Sequence, residues 1–121
     1  MSRISTLEMP MLSLSPTVDF GVSISAGSDE VVLHLRGEAD LATAPLLLKA
    51  LTSPLASDRS YQRLVLDLEE LQFIDSHCIG IIDDARTDLS QIGRDLIVRS
   101  PVPIARRVLG ICGMDGLIEA S

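Results

Sequence analysis

The sequence has very few aromatic side chains: its 121 residues include two phenylalanines, one tyrosine and no tryptophan. Because 46% of the residues are hydrophobic, the core must be built from Leu, Ile, Val and Ala. Long apolar runs are also missing, since none approaches the ~20 residues that a membrane span requires. The N-terminus lacks the charged segment and apolar block of a signal peptide. We therefore predict a cytoplasmic protein with no membrane partner.

Cysteine is scarce as well, since Cys78 and Cys112 are the two thiols. Two cysteines without an export signal favour free thiols in a reducing compartment. Together with His34 and His77 they form no ligand-spaced cluster, so we expect no metal and no other cofactor.

Positive charge is in deficit, because 10 Lys and Arg residues against 17 Asp and Glu residues give a formal net charge of -7. Nucleic-acid binding depends on phosphate contacts from Lys and Arg, and anionic membranes attract basic segments. The charge balance therefore argues against both partners. A basic protein partner, or a phosphate-bearing ligand at a helix start, remains compatible with it.

The length is sufficient for one domain with one core. Residues 1–18 contain Pro10 and Pro16 and show no periodicity, so we predict a flexible N-terminal extension followed by a folded domain at 19–121. Within that domain, apolar spacing predicts strands at 20–24, 31–36, 64–68 and 96–98 and a short final strand at 114–118. It predicts helices at 43–53 and 76–92, and a last helix that begins at Pro101 or Pro103 and ends at Gly113. The first two strands form an antiparallel hairpin. Alternation of strands with helices then indicates an α/β fold with a mixed sheet.

Each predicted helix carries apolar residues at helical spacing, which we expect to face the sheet. His34 is expected to be a half-exposed strand residue. The predicted buried stripes are Ala44, Leu47, Leu48, Leu51 and Leu55 in the first helix, Cys78, Ile82, Ala85, Leu89 and Ile92 in the second, and Ile104, Val108 and Ile111 in the third, where Arg106 and Arg107 face water.

The most informative position is the joint between the central strand and the second helix, where Asp75 and Ser76 lie. Ser76 is at or near the N-cap, where backbone N–H groups lack intrahelical acceptors and the local partial charge is positive. Such a corner binds anions, including phosphate. From position alone two interpretations stay open, a simple cap and a modified or reactive serine. Thr43 can cap the first helix in the same way.

Three sequence blocks resemble the STAS domain family, which includes the anti-sigma-factor antagonists. They are L-R-G-E-A-D-L-A-T-A-P at 35–45, D-L-x-x-L-x-F-I-D-S at 67–76, and P-V-P-I-A-R-R-V-L-G-I-C-G-M-D-G-L at 101–117. The resemblance covers roughly residues 20–118. It implies a mixed four- to five-stranded sheet with three or more helices packed mainly on one face.

The resemblance also implies a function without catalysis. An anti-sigma-factor antagonist binds an anti-sigma serine kinase, with its ATP or ADP, while unphosphorylated, and phosphorylation by the kinase switches it off. Ser76 is at the position of the phosphorylated serine, and Asp75 precedes it. Asp40 matches an acid near the nucleotide, and Thr43 and His77 lie beside these positions. A homodimer is left open.

The sequence departs from the family pattern D-S-S-G, because His77 and Cys78 follow Ser76. We interpret Cys78 as a small core residue and His77 as a surface residue that flanks the site. The departure favours an alternative function, a STAS scaffold or subunit of a larger sensory or transport complex without a phosphoswitch. A third hypothesis, an enzyme with Ser76 or Cys78 as nucleophile, is disfavoured because there is no G-x-S-x-G elbow and no residue pattern that supplies a base.

Overall fold

The computed structural model describes residues 20–53 and 61–119, so the predicted extension at 1–18 and Leu55 lie outside the described residues. The strands are β1 (Phe20–Ala26), β2 (Glu30–Ala39), β3 (Arg63–Ile74) and β4 (Asp95–Arg99). The helices are α1 (Ala44–Leu51), α2 (Ser76–Ser90) and α3 (Pro103–Ile111), followed by a 3-10 turn at Asp115–Leu117. None of the helices in the described ranges is both long and apolar enough to cross a membrane.

The four strands form one mixed sheet in the order β1-β2-β3-β4. The β1–β2 pair is antiparallel, while β2–β3 and β3–β4 are parallel, which confirms the predicted hairpin and the α/β class. Alternate residues of the strands and the inner faces of all three helices join in one aliphatic cluster, so the helices cover one face of the sheet. The predicted final strand is wrong: one parallel bridge between Val98 and Ile118 follows the 3-10 turn.

Strand β3 is longer than the predicted 64–68. Its buried residues Leu68, Leu71 and Ile74 recur every third position instead of every second. The pairing with β2 shifts register twice, because β3 has one extra residue between the partners of His34 and Arg36 and another between those of Gly37 and Glu38. Each bulge returns the next apolar side chain to the core face. The strand therefore continues through Glu69 and Glu70 to the candidate site.

The buried faces of α1 and α2 agree with the predictions only in part. In α1 the buried residues are Ala44, Leu47, Ala50 and Leu51, whereas Leu48 is exposed. In α2 the residues Cys78, Ile79 and Ile82 are buried, while Ala85 and Leu89 pack partly against the core. Ile92 lies beyond the end of α2 and is exposed, because the helix ends at Ser90 and Gly93 adopts a left-handed turn with a φ of 78°.

The prediction for α3 is wrong about which face is buried. Ala105 and Leu109 are fully buried in the core. Ile104 and Ile111 are 48% and 75% exposed, and Val108 between them is partly buried. Ala105 and Leu109 are four residues apart and share the side of the helix that faces the sheet, so Ile104 and Ile111 point away from it. As predicted, Arg106 and Arg107 are exposed.

Candidate functional site

The candidate site consists of two chain corners at the carboxyl edge of the sheet. Parallel neighbours β2 and β3 end side by side, so the turn that follows each strand lies at the same edge. The backbone N–H of Asp75 donates to the carbonyl of Ala39 at 3.0 Å, which extends the strand pairing into the turns. The sheet itself therefore brings Asp40 and Asp75 next to each other.

The first corner, Asp40 to Thr43, is held by reciprocal hydrogen bonds. The Thr43 hydroxyl accepts from the Asp40 N–H at 2.9 Å and donates to the Glu38 carbonyl at 2.8 Å. In return, a carboxylate oxygen of Asp40 accepts from the Thr43 N–H at 3.1 Å. Thr43 is the N-cap of α1 by its backbone, but its side chain makes no cap hydrogen bond, so the predicted capping role is wrong. Its buried hydroxyl instead fixes the turn that presents Asp40.

The second corner, Asp75 to Cys78, begins α2. Asp75 is the N-cap, and its carboxylate accepts from the Cys78 N–H at 2.9 Å. Ser76 is therefore the first residue within the helix, next to the cap as predicted. Ser76 and His77 are both exposed. Because these two positions lie in the first turn, their N–H groups have no intrahelical acceptor.

Cys78 connects the two corners. Its thiol is fully buried and donates to the backbone carbonyl of Asp40 at 3.4 Å. Burial, together with the charge and hydrogen bond of Asp75 and the charge of Asp40, raises the pKa of Cys78 to about 12. The thiol therefore stays protonated near neutral pH. It is a neutral core group, as the sequence indicated, and it is unsuited to act as a thiolate nucleophile. Both cysteines are free.

The arrangement suits the binding and release of an anion at the start of α2. The positive end of the helix and the N–H groups of Ser76 and His77, which have no acceptor within α2, attract negative charge, whereas the carboxylates of Asp40 and Asp75 repel it. Two exposed apolar side chains border these corners in the chain, Leu41 and Phe73, which are 69% and 38% exposed. Neither was singled out from the sequence. The sequence feature that could have identified them is their position, because Leu41 directly follows Asp40 and Phe73 lies two residues before Asp75.

His34 lies on the face of the sheet opposite the helices. It is half-exposed, as expected. The fold places its Nδ1 3.3 Å from an Asp67 carboxylate oxygen and its Nε2 3.1 Å from the Ser25 hydroxyl. These contacts could not be predicted from the sequence, because the three residues are far apart in the chain. Within residues 20–53 and 61–119, no three His, Cys, Asp or Glu side chains are grouped closely enough to hold a metal ion.

Comparisons with known proteins agree with the fold described above. The STAS domain family model matches residues 22–121. An anti-sigma factor antagonist from Mycobacterium paratuberculosis has a similar structure, with a TM-score of 0.73 and 25% sequence identity over 86% of each chain. The anti-sigma factor antagonist SpoIIAA in its unphosphorylated form has a TM-score of 0.70 and 19% identity over 85% of this chain and 88% of its own. The Bacillus cell fate determinant SpoIIAA in its phosphorylated form has a TM-score of 0.63 and 19% identity, over 85% and 91% of the two chains.

Proposed function

Because this chain belongs to the STAS domain family, we propose that it is an anti-sigma-factor-antagonist-like module whose binding to an anti-sigma serine kinase is controlled at Ser76. The unphosphorylated form binds the kinase. The kinase transfers the γ-phosphoryl group of ATP to the Ser76 oxygen. The bond from the γ-phosphorus to the bridging oxygen breaks, ADP leaves, and the hydroxyl proton passes to a base of the kinase. The phosphorylated form is then released. The observation that carries the proposal is the exposure of Ser76 at the first position of α2, where an incoming nucleotide can reach its hydroxyl.

The same position explains how the domain can tolerate the modification. A phosphate adds a charge of about -1.5 to -2 at neutral pH. Attached to Ser76, it lies at the positive end of α2, where the dipole and the N–H groups of Ser76 and His77 offset that charge. We therefore expect little change of fold on phosphorylation.

The partner surface responds differently to the same charge. The carboxylates of Asp40 and Asp75 already make this edge of the sheet acidic, and the whole chain has a net charge of -7. A partner that carries a bound nucleotide brings further phosphate groups to the site. Like charges at short range disfavour the complex, so the phosphate on Ser76 acts as an electrostatic switch. Leu41 and Phe73, both exposed, supply apolar contact area in the unphosphorylated complex.

The experiment is phosphorylation by the cognate kinase with ATP, followed by peptide mapping and by measurement of kinase affinity for each form. We expect label on Ser76 and a fall in affinity of at least tenfold on phosphorylation. Ser76→Ala should bind the kinase and remain unlabelled. Ser90→Ala is the matched control, since Ser90 is an exposed serine at the opposite end of the same helix.

Two results would remove the phosphoswitch. One is the absence of label on Ser76 with an active kinase. The other is a phosphorylated protein that keeps the affinity of the unmodified protein. Either result favours the second candidate function, a STAS scaffold or subunit of a larger sensory or transport complex. The observation behind that alternative is the second corner itself, where the exposed ring of His77 stands beside Ser76 and the buried Cys78 ties the corner to Asp40.

A further inference from the structure

Helix α3 has two rows of apolar residues, and one of these rows packs in the core. Ala105 and Leu109 pack on the sheet, whereas Ile104 and Ile111 are exposed. Ile104, Val108 and Ile111 are spaced by four and three residues, so they lie in one row along the helix. Single exposed apolar residues are ordinary on protein surfaces, but a contiguous row is typical of a binding face.

The two charged residues of α3 are both arginines, although the protein as a whole is acidic. Arg107 is three residues from Ile104 and four from Ile111, so its side chain borders the row. Neither the guanidinium of Arg106 nor that of Arg107 makes a hydrogen bond or ion pair with any described residue. The first turn of α3 carries no acidic residue and no side-chain cap, so the positive end of the helix dipole is also uncompensated.

We propose that the outer face of α3, made by Ile104, Arg107, Val108 and Ile111, binds an acidic amphipathic helix of a partner protein. The three apolar side chains pack against the apolar face of the partner helix, and Arg107 pairs with a carboxylate on the flank of that helix. None of these four residues belongs to the two corners that form the candidate site, so the proposal does not rest on phosphorylation of Ser76.

A second copy of the chain is a poorer occupant than an acidic partner. In a two-fold symmetric pair the same patch meets itself, so Arg107 of one copy would approach Arg107 of the other. Residues 100–114 contain no Asp or Glu to offset that contact. A membrane surface fits less well too, because the net charge of -7 opposes approach to anionic lipids. The charge pattern therefore favours an acidic protein segment.

The test uses two designed helical peptides and the full-length chain. The first peptide carries leucines at positions i, i+3, i+4 and i+7 with glutamates on both flanks, and its twin carries lysines instead. Amide chemical shifts and peptide fluorescence anisotropy are recorded during titration. We expect the acidic peptide to shift the amides of α3 and to bind at least tenfold more tightly than its twin. Arg107→Glu should reverse the preference, and Ile104→Ser with Ile111→Ser should abolish binding.

The matched control is Leu48→Ser, which removes an exposed apolar side chain from α1 and should bind as the wild type does. Circular dichroism establishes that every variant is folded, as expected for substitutions at exposed positions. The inference is overturned if neither peptide shifts the amides of α3, or if both peptides bind equally. It is also overturned if sedimentation shows a dimer that Ile111→Ser dissociates, since a second copy then covers the face.

Discussion

The thiol of Cys78 donates a hydrogen bond to the backbone carbonyl of Asp40 across 3.4 Å, although the two residues are 38 positions apart in the chain. The bond joins the first turn of α2 to the turn that follows β2. Those two turns carry Ser76 and Asp40, the serine and the acid of the proposed switch. A buried neutral thiol thus holds the relative position of two charged surface elements.

Replacement of Cys78 separates the contribution of this bond from that of packing. Cys78→Ala removes the donor and leaves a small cavity, so we expect a loss of about 1–2 kcal/mol in the free energy of unfolding. Cys78→Ser keeps a donor for the Asp40 carbonyl. Hydrogen exchange at residues 40–43 should therefore increase more in the alanine variant than in the serine variant. Cys112→Ala, at an exposed thiol, should change neither quantity, and equal exchange in both Cys78 variants would argue against the bond.

Alkaline pH should destabilise the fold through the same thiol. In the folded protein the pKa of Cys78 is raised to about 12 from 9.0. Between these values the unfolded chain has released the proton that the folded chain retains, so the free energy of unfolding falls as pH rises, by about 1.4 kcal/mol per pH unit at most. Urea denaturation from pH 8 to 11 should show this slope in the wild type. Subtraction of the Cys78→Ala profile isolates it, and parallel profiles would refute the prediction.

The Thr43 hydroxyl should matter more than its methyl group. Thr43→Val keeps the shape of the side chain but leaves the Asp40 N–H and the Glu38 carbonyl without their buried partner. We expect a loss of about 1–3 kcal/mol in the free energy of unfolding. Thr43→Ser retains the hydroxyl and should lose less. Chemical denaturation measures both variants, and a valine variant as stable as the serine variant would contradict the account of the first corner.

The elements of the fold were predictable because their apolar spacing was regular. The exceptions have local physical causes. In β3 the two bulges replace the two-residue period with a spacing of three, so Glu69 and Glu70 resembled the end of a strand. In α3 the row of Ile104, Val108 and Ile111 was predicted to be the buried face, but Ala105 and Leu109 are buried instead. Sequence identifies which residues are apolar, whereas the way each helix packs on the sheet decides which of them are buried.

The candidate site, like the fold, could be predicted from the sequence only in part. Ser76 and Asp75 could be located from the sequence because a strand-to-helix joint is a local feature. The contact of Asp40 with the same site followed from family resemblance, and its physical basis is the parallel pairing of β2 with β3. The thiol bond of Cys78 and the role of Thr43 could not be predicted, since both depend on the relative placement of two turns that are far apart in the chain.

Acid should weaken the attachment of the C-terminal segment to β4. The Nε and Nη2 of Arg99 donate to the two carboxylate oxygens of Glu119 at 2.8 Å and 3.1 Å. These hydrogen bonds, aided by the charges of Arg99 and Arg63 and opposed by slight burial, lower the pKa of Glu119 below 4.5. As pH falls below that value, the unfolded chain binds a proton that the folded chain does not, so the stabilisation present near neutral pH is lost.

The measurement is a set of denaturation curves between about pH 5 and pH 3. Glu119→Gln should have a shallower loss of stability with falling pH than the wild type. Arg99→Lys keeps the charge but cannot make both parallel bonds, so the pKa of Glu119, followed by NMR, should rise toward its ordinary value. Glu69→Gln, at an exposed glutamate on β3, is the matched control and should keep the wild-type slope. An unchanged slope in Glu119→Gln would mean that solvent screens the pair completely, and the C-terminal segment would then be held by its backbone bond to Val98.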